Sequence, residues 1–369
     1  SWKDVIDCKD APANAGSKLL KNRESVNDAK ALSYSNLAGM PCLGKTTTVE
    51  FALGGLGTNK SIPTPLNQAI TDLPRAPGGS SAGAAAAVFS DMCPIAIGTD
   101  TGGSVRIPSS WHGLVGFKPS YGTISNEGVM PLSPSLDTVG PICRSIDDAM
   151  IMYSIMSNTN CEIYDYPLNN LKLSICNEVF WDDINDYDKG IYFNFIDKIL
   201  NSGARLVKKS FPEISISHEN IESYGSLVCW EAWNSWKHLL IGNENKVDPN
   251  VMHRMFMGKE MSQDNFNKLT LSRKDNTDIL LKNFSDIDII VVPTVAINPP
   301  TIEEIKESKN YTKFNSLALR NTRIGNELNL CCVNIPIKMH PPKSLMLCSS
   351  SGNDYKLLNI ARSVNSTIN

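Results

Sequence analysis

Residues Gly39–Phe51 read GMPCLGKTTTVEF, and they open with the spelling G-x-x-x-x-G-K-T. That spelling belongs to the phosphate-cradling loop of nucleotide-hydrolysing proteins, so its reading decides between two quite different folds. A working phosphate loop needs a buried strand ahead of the first glycine and a helix opening at the Lys-Thr. Here the preceding NDAKALSYSNLAG (Asn27–Gly39) starts at a capping Asn27 or Asp28 and stops at glycine, the pattern of a helix. The following KTTTVEF is β-branched and predicts a strand. The order helix–loop–strand is the reverse of what phosphate binding requires. Pro41 also takes a backbone N–H out of the would-be anion nest.

Working outward, Leu53 to Gly140 is dense in Gly, Ser, Pro and Thr, with short apolar runs such as CPIAIG (Cys93–Gly98) and HGLVGF (His112–Phe117). Such runs fit buried strands of an α/β protein joined by tight turns. From Asp147 onward longer helical patterns appear, for example DKGIYFNFIDKIL (Asp188–Leu200). DIDIIVVP (Asp286–Pro293) and LCCVNIP (Leu330–Pro336) predict buried strands stopped by proline. No repeat, low-complexity tract or linker interrupts the 369 residues, which predict one compact α/β domain with its chemistry in the first 140 or so.

Composition narrows the function classes. A net charge of −3 offers no basic face to a phosphate backbone, so no nucleic-acid partner is expected. No apolar run approaches the roughly 20 residues that cross a bilayer, and no membrane partner is expected. The ten cysteines form no C-x-x-C pair and the five histidines lie far apart, which predicts reduced thiols, a cytoplasmic protein, and neither metal nor cofactor.

Two glycine-serine clusters carry the chemistry: PGGSSAGAAAAV (Pro77–Val88) and GTDTGGSVRIPSS (Gly98–Ser110). GSSAG spells the serine-hydrolase elbow, but that elbow must follow a strand directly and TDLPRAPG is proline-broken loop. Ser1 as a terminal nucleophile has no supporting neighbours. In the second cluster Gly102 and Gly103 immediately precede Ser104, so consecutive backbone N–H groups could converge on one point, as an oxyanion hole requires.

With Lys3-Asp4, LGKT…EF, PGGSSAG, GTDTGGSVRIP and GLVGFKPSYG in this order, the chain resembles the amidase signature family, strongly over residues 3–154 and weakly over 155–369. The resemblance implies one amidase domain over 1–369, with a central twisted mixed β-sheet covered by helices on both faces. It implies Ser104 as nucleophile, Ser80 as a bridging serine held by a cis peptide bond, and Lys3 as base. The N–H groups of Thr101, Gly102, Gly103 and Ser104 would hold the oxyanion, with Ser81, Asp100 and Arg106 as supports. The physical logic agrees. A lysine accepts a proton only when neutral, and burial favours the neutral amine. A neutral Lys3 would draw a proton from Ser80 while Ser80 draws one from Ser104, and the reverse relay would protonate the leaving nitrogen.

Only two residues precede Lys3 where the family has tens, so an N-terminal leader is expected to be absent. VRIP differs from the IRQP common in the glutaminase subunit of the tRNA-dependent amidotransferase, and the NMDEF of that subunit is missing. Both favour a free-standing hydrolase of small linear amides. The ammonia-supplying glutaminase and a degenerate, purely binding amidase fold are the alternatives. Self-association is left open. In the second half, the stripe Trp230, Trp233 and Trp236 reads as core packing before acyl pocket. Arg320, Arg323 and Asn326 read as a solvated helix face before a site for a carboxylate or urea-like group.

Overall fold

The computed structural model describes all 369 residues. Trp2–Lys3 is strand β1. Helix α1 (Lys30–Leu37) leads through the GMPCLG loop to strand β2 (Lys45–Thr46), parallel to β1. The order helix–loop–strand holds, with two corrections. Neither Asn27 nor Asp28 caps the helix: α1 starts behind Ala29 without a side-chain cap, because the Asp28 carboxylate accepts from the Lys9 N–H (2.7 Å) and the Asn36 amide (2.9 Å) instead. The strand is only two residues long, and Glu50–Ala52 closes the segment as one 3-10 turn.

Helix α2 (Ala82–Phe89), strand β3 (Ile95–Asp100), helix α3 (Arg106–Trp111), strand β4 (Val115–Lys118), strand β5 (Thr138–Cys143) and helix α4 (Ile146–Ser157) complete the first half. Strand β3 runs parallel to β1 and antiparallel to β5, which pairs with β4. The second half adds β6 (Lys172–Ile175), α5 (Asp186–Asn201) and β7 (Arg205–Leu206). Four helices follow without a strand between them: α6 (Pro212–Tyr224), α7 (Leu227–Leu240), α8 (Pro249–Glu260) and α9 (Gln263–Asn283). The chain closes with β8 (Ile289–Pro293), α10 (Ser308–Glu327), β9 (Cys331–Ile337), β10 (Lys343–Ser349) and α11 (Asp354–Ile368).

All ten strands form one mixed sheet in the order β2-β1-β3-β5-β4-β9-β10-β8-β6-β7. The five strands up to Cys143 and the five from Lys172 onward are therefore contiguous halves, joined where β4 pairs with β9 (Gly116↔Asn334, Phe117↔Val333). Helices α1, α4, α5 and α11 pack together on one side; α2, α3 and α10 form the other layer, with α6 and α8 packed against α10. Burial from both sides explains why β8, β9 and β10 read as nearly unbroken apolar runs. Pro293 ends its strand as expected, but Pro336 does not. Past Asn334, β9 has β10 as its sole partner, and a missing N–H is tolerated in such an edge-like stretch. Trp233 and Trp236 are core residues, the latter 5.0 Å from the Phe51 ring, and Trp230 stacks on Phe266. No helix is long and apolar enough to cross a membrane.

Candidate active site

The sheet delivers the predicted residues from three separate places. Lys3 sits on β1 beside β3, Ser80 in the loop entering α2, and Ser104 in the turn between β3 and α3. The Ser81 N–H donates to the Ser104 carbonyl (3.2 Å), which ties the two serine clusters together by their backbones. The Gly79–Ser80 peptide bond is cis, and TDLPRAPG forms no strand ahead of Ser80.

Lys3 is fully buried. Its Nζ lies 2.7 Å from Ser80 Oγ and 2.8 Å from the Thr99 hydroxyl. Burial pulls its pKa from 10.5 down to about 7, against the charges of Asp100 and Asp137, which favour the ammonium. Near neutral pH a large share of Lys3 is thus a free amine, able to donate to Thr99 and accept from Ser80. Thr99, one neighbouring strand away, escaped the sequence reading although it stands in the GTDTGGS motif.

Of the four predicted oxyanion donors, the N–H groups of Thr101, Gly102 and Ser104 bond to no acceptor within the chain. The Gly103 N–H is committed: it donates to Asp100 Oδ1 (2.8 Å). Gly103 serves the turn in another way. Its φ of +132° and a would-be Cβ only 2.0 Å from Thr322 Oγ1 leave room for no side chain. The Thr101 hydroxyl donates to Asp137 Oδ1 (2.6 Å), and burial raises that carboxyl to about 6 although Thr101 and the Leu132 and Ser133 N–H groups hydrogen-bond to it.

The turn is fastened from behind. Asp100 accepts from the N–H groups of Gly103 and Val105 and forms a fully buried pair with Arg106, whose Nη2 lies 2.9 Å and Nε 3.0 Å from the carboxylate. Burial opposes the Asp100 charge, but Arg106 and these hydrogen bonds outweigh it and hold the pKa at about 2. Asn326 on α10 completes the knot, accepting from Arg106 (2.7 Å) and donating to the Asp100 carbonyl (3.0 Å). The Ser81 hydroxyl makes a longer bond to the Thr99 carbonyl (3.4 Å).

Thr101, Gly102 and Ser104 open onto a cavity of about 330 Å³. Helix α10 gives one wall through Tyr311, Asn315, Leu319, Arg323 and Glu327, every fourth residue and so a single stripe. This corrects the reading of α10 as a solvated face. Asn326 is buried against the turn, Arg320 pairs with Asp183 (2.6 Å), and Arg323 faces the cavity. Arg254 on α8 lines it too, a residue with no motif around it to announce it. None of the three predicted tryptophans does.

Three likenesses accord with this arrangement. The chain is 31% identical over 335 residues to 2-amino-5-chloromuconic acid deaminase from Comamonas testosteroni, covering 88% of this chain and 72% of that protein. It is 30% identical over 318 residues to the A subunit of glutamyl-tRNA(Gln) amidotransferase from Methanococcus maripaludis, covering 82% of this chain and 73% of the relative. A crystal structure of an amidase superposes over the whole chain and 84% of its own length with a TM-score of 0.88 at 24% identity, which shows the fold. The model of the Amidase family matches residues 1–358, and the chain belongs to that family of C–N hydrolases.

Proposed function

We propose that this chain hydrolyses the C–N bond of a small linear carboxylic amide through an acyl-enzyme on Ser104. The observation that carries the reading is the buried Lys3 amine, 2.7 Å from Ser80 Oγ and poised near pKa 7. The neutral amine takes the Ser80 proton as Ser80 takes that of Ser104, and Ser104 Oγ attacks the amide carbon. The carbonyl oxygen gains negative charge beside the unbonded N–H groups of Thr101, Gly102 and Ser104, whose dipoles are already oriented. The tetrahedral intermediate collapses as the relay returns a proton to the nitrogen, and ammonia or an amine leaves. Lys3, neutral again, then draws a proton through Ser80 from a water that attacks the ester, and the relay returns that proton to Ser104 Oγ as the carboxylic acid leaves. In this scheme Asp100, Arg106 and Ser81 position the turn, and no cofactor takes part.

The test is a fluorophosphonate probe with a panel of amides scored for ammonia. The wild-type chain should label at Ser104 and release ammonia, and Ser104→Ala should do neither. Retained turnover by that variant would refute the nucleophile. An unlabelled, inactive wild type would favour a purely binding fold. A second reading rests on the likeness to the Methanococcus amidotransferase across 82% of the chain: glutamine hydrolysed solely in the company of a second protein chain would favour an ammonia-supplying role.

A further inference from the structure

The peptide between Gly102 and Gly103 stands in the middle of the turn whose free N–H groups border the cavity. It lies between two glycines, where no Cβ resists rotation of its plane. A turned plane would swing a carbonyl oxygen towards the place where an oxyanion develops. The peptide is pinned at both ends. Its N–H donates to Asp100 Oδ1 (2.8 Å), and its carbonyl, that of Gly102, accepts from the Thr322 hydroxyl on α10 (2.7 Å). No backbone N–H of the chain donates to the same carbonyl. A threonine inside a helix ordinarily turns its hydroxyl to a carbonyl of its own preceding turn. Thr322 has that choice in the Leu319 carbonyl at 3.3 Å, and the Gly102 oxygen lies closer. Because a peptide unit is planar, the two opposed bonds fix its plane. The N–H groups of Gly102 and Ser104 belong to the peptides on either side, so the fixed plane sets the aim of both.

We propose that Thr322 is a positioning residue for the oxyanion site: its hydroxyl, from behind the turn, keeps the Gly102 carbonyl out of the cavity and so holds the Gly102 and Ser104 N–H groups towards it. The inference rests on the amide-hydrolysis reading for the negative charge that those groups meet. Thr322 is fully buried and is not among the residues lining the cavity, so it acts through the turn and not on a ligand. Its neighbours on α10 support the same turn. Asn326, one helical turn onward, donates to the Asp100 carbonyl (3.0 Å), and a Cβ on Gly102 would stand 3.6 Å from Leu319. Of these contacts, the Thr322 hydroxyl alone bonds the peptide between the glycines. The glycines give the turn its freedom, and a residue 220 positions away takes that freedom back.

The variants are Thr322→Val, which removes the hydroxyl and keeps the branched shape, and Thr322→Ser, which keeps the hydroxyl. Each is read with an amide that wild type hydrolyses and with an alkyl trifluoromethyl ketone. On the ketone, Ser104 Oγ bonds to the carbonyl carbon and its proton passes to the relay. The former carbonyl oxygen becomes an alkoxide that needs the same donors as the transition state. Thr322→Val should lower kcat by about 10- to 100-fold with KM within about 2-fold of wild type, a smaller loss than the roughly 10²–10³ of deleting a donor outright. Ketone affinity should fall by the same factor as kcat/KM, and Thr322→Ser should recover most of both. A purely structural role would lower the urea midpoint and leave the ratio of ketone affinity to amide affinity unchanged, which would overturn the inference. So would a Thr322→Ser variant as impaired as Thr322→Val. If Thr322→Val does not fold, Thr322→Ala removes the same hydroxyl without the branched carbon and is read in the same way. Wild-type kcat and ketone affinity in either folded variant overturn the inference while the amide reading stands. A wild type that binds the ketone but hydrolyses no amide overturns that reading, and loss of ketone affinity in Thr322→Val then upholds the inference by itself.

Discussion

In the proposed mechanism the chemistry turns on the proton at Lys3. In the folded chain it leaves near pH 7, and in an unfolded chain near 10.4. Between those values the unfolded state holds the extra proton, so the Lys3 contribution to stability rises with pH across that window and is at its worst below it. Lys3→Met should therefore gain most in stability over wild type at about pH 6 and lose that advantage towards pH 10, as urea unfolding at fixed pH will read. Activity should run the opposite way: an acid limb with an apparent pKa near 7 in wild type, and a fall of about 10²–10⁴ in kcat for Lys3→Met. Asp137 raises the Lys3 pKa through its charge, so Asp137→Asn should move the acid limb to lower pH. A limb that stays put in both variants would remove Lys3 from the base role. Lys3, Ser80 and Ser104, the residues of the proposed relay, could be nominated from the sequence because their motifs are local and ordered along the chain. Asp137 could not be, because the path of a loop rather than a spelling brings it to the site; Thr99 stands inside a motif, but its contact with Lys3 arises from the pairing of β1 with β3.

At the scale of elements, α2 shows two effects in opposition. Its AGAAAAVF run is a strong helix former, and Gly83→Ala would gain about 1 kcal/mol of propensity at an exposed site. Here an added Cβ would stand 2.6 Å from the Thr47 backbone N, where the segment leaving β2 passes. Overpacking against main chain costs about 1–3 kcal/mol, so the variant should be net less stable, by up to about 2 kcal/mol. A urea midpoint at or above wild type would contradict this. Periodicity and turn residues announced α5, β3, β8 and the helix before β2. They could not announce that β2 stops after two residues, since the β-branched run Thr46–Val49 continues beyond it and only the reach of β1 limits the pairing. Pro336 misled for a related reason: whether a proline ends a strand depends on which neighbour needs its N–H.

Across the whole molecule, the Asp100–Arg106–Asn326 knot joins the half that bears the relay to the half that shapes the cavity. Asn326→Ala should cost about 1–3 kcal/mol by leaving buried polar groups unpaired, and Arg106→Leu about 3–5 kcal/mol by leaving the Asp100 carboxylate without its cation. Both should lower kcat with stability, because Gly103 and Val105 hang on the same carboxylate. Chemical denaturation followed by circular dichroism and by tryptophan fluorescence should give coincident curves in wild type; two separated transitions would show the halves to be independent. The mixed sheet with helices on both sides followed from the motifs. The cavity wall did not, because Arg254 and the α10 stripe are brought together by packing between helices remote in sequence. The sheet has one more consequence. Both of its outermost strands, β2 and β7, are two residues long. Each border thus exposes too few free amides and carbonyls to template a visiting strand, which guards a ten-stranded protein against growing into fibrils and leaves side chains on the outer helices as the means of touching another copy.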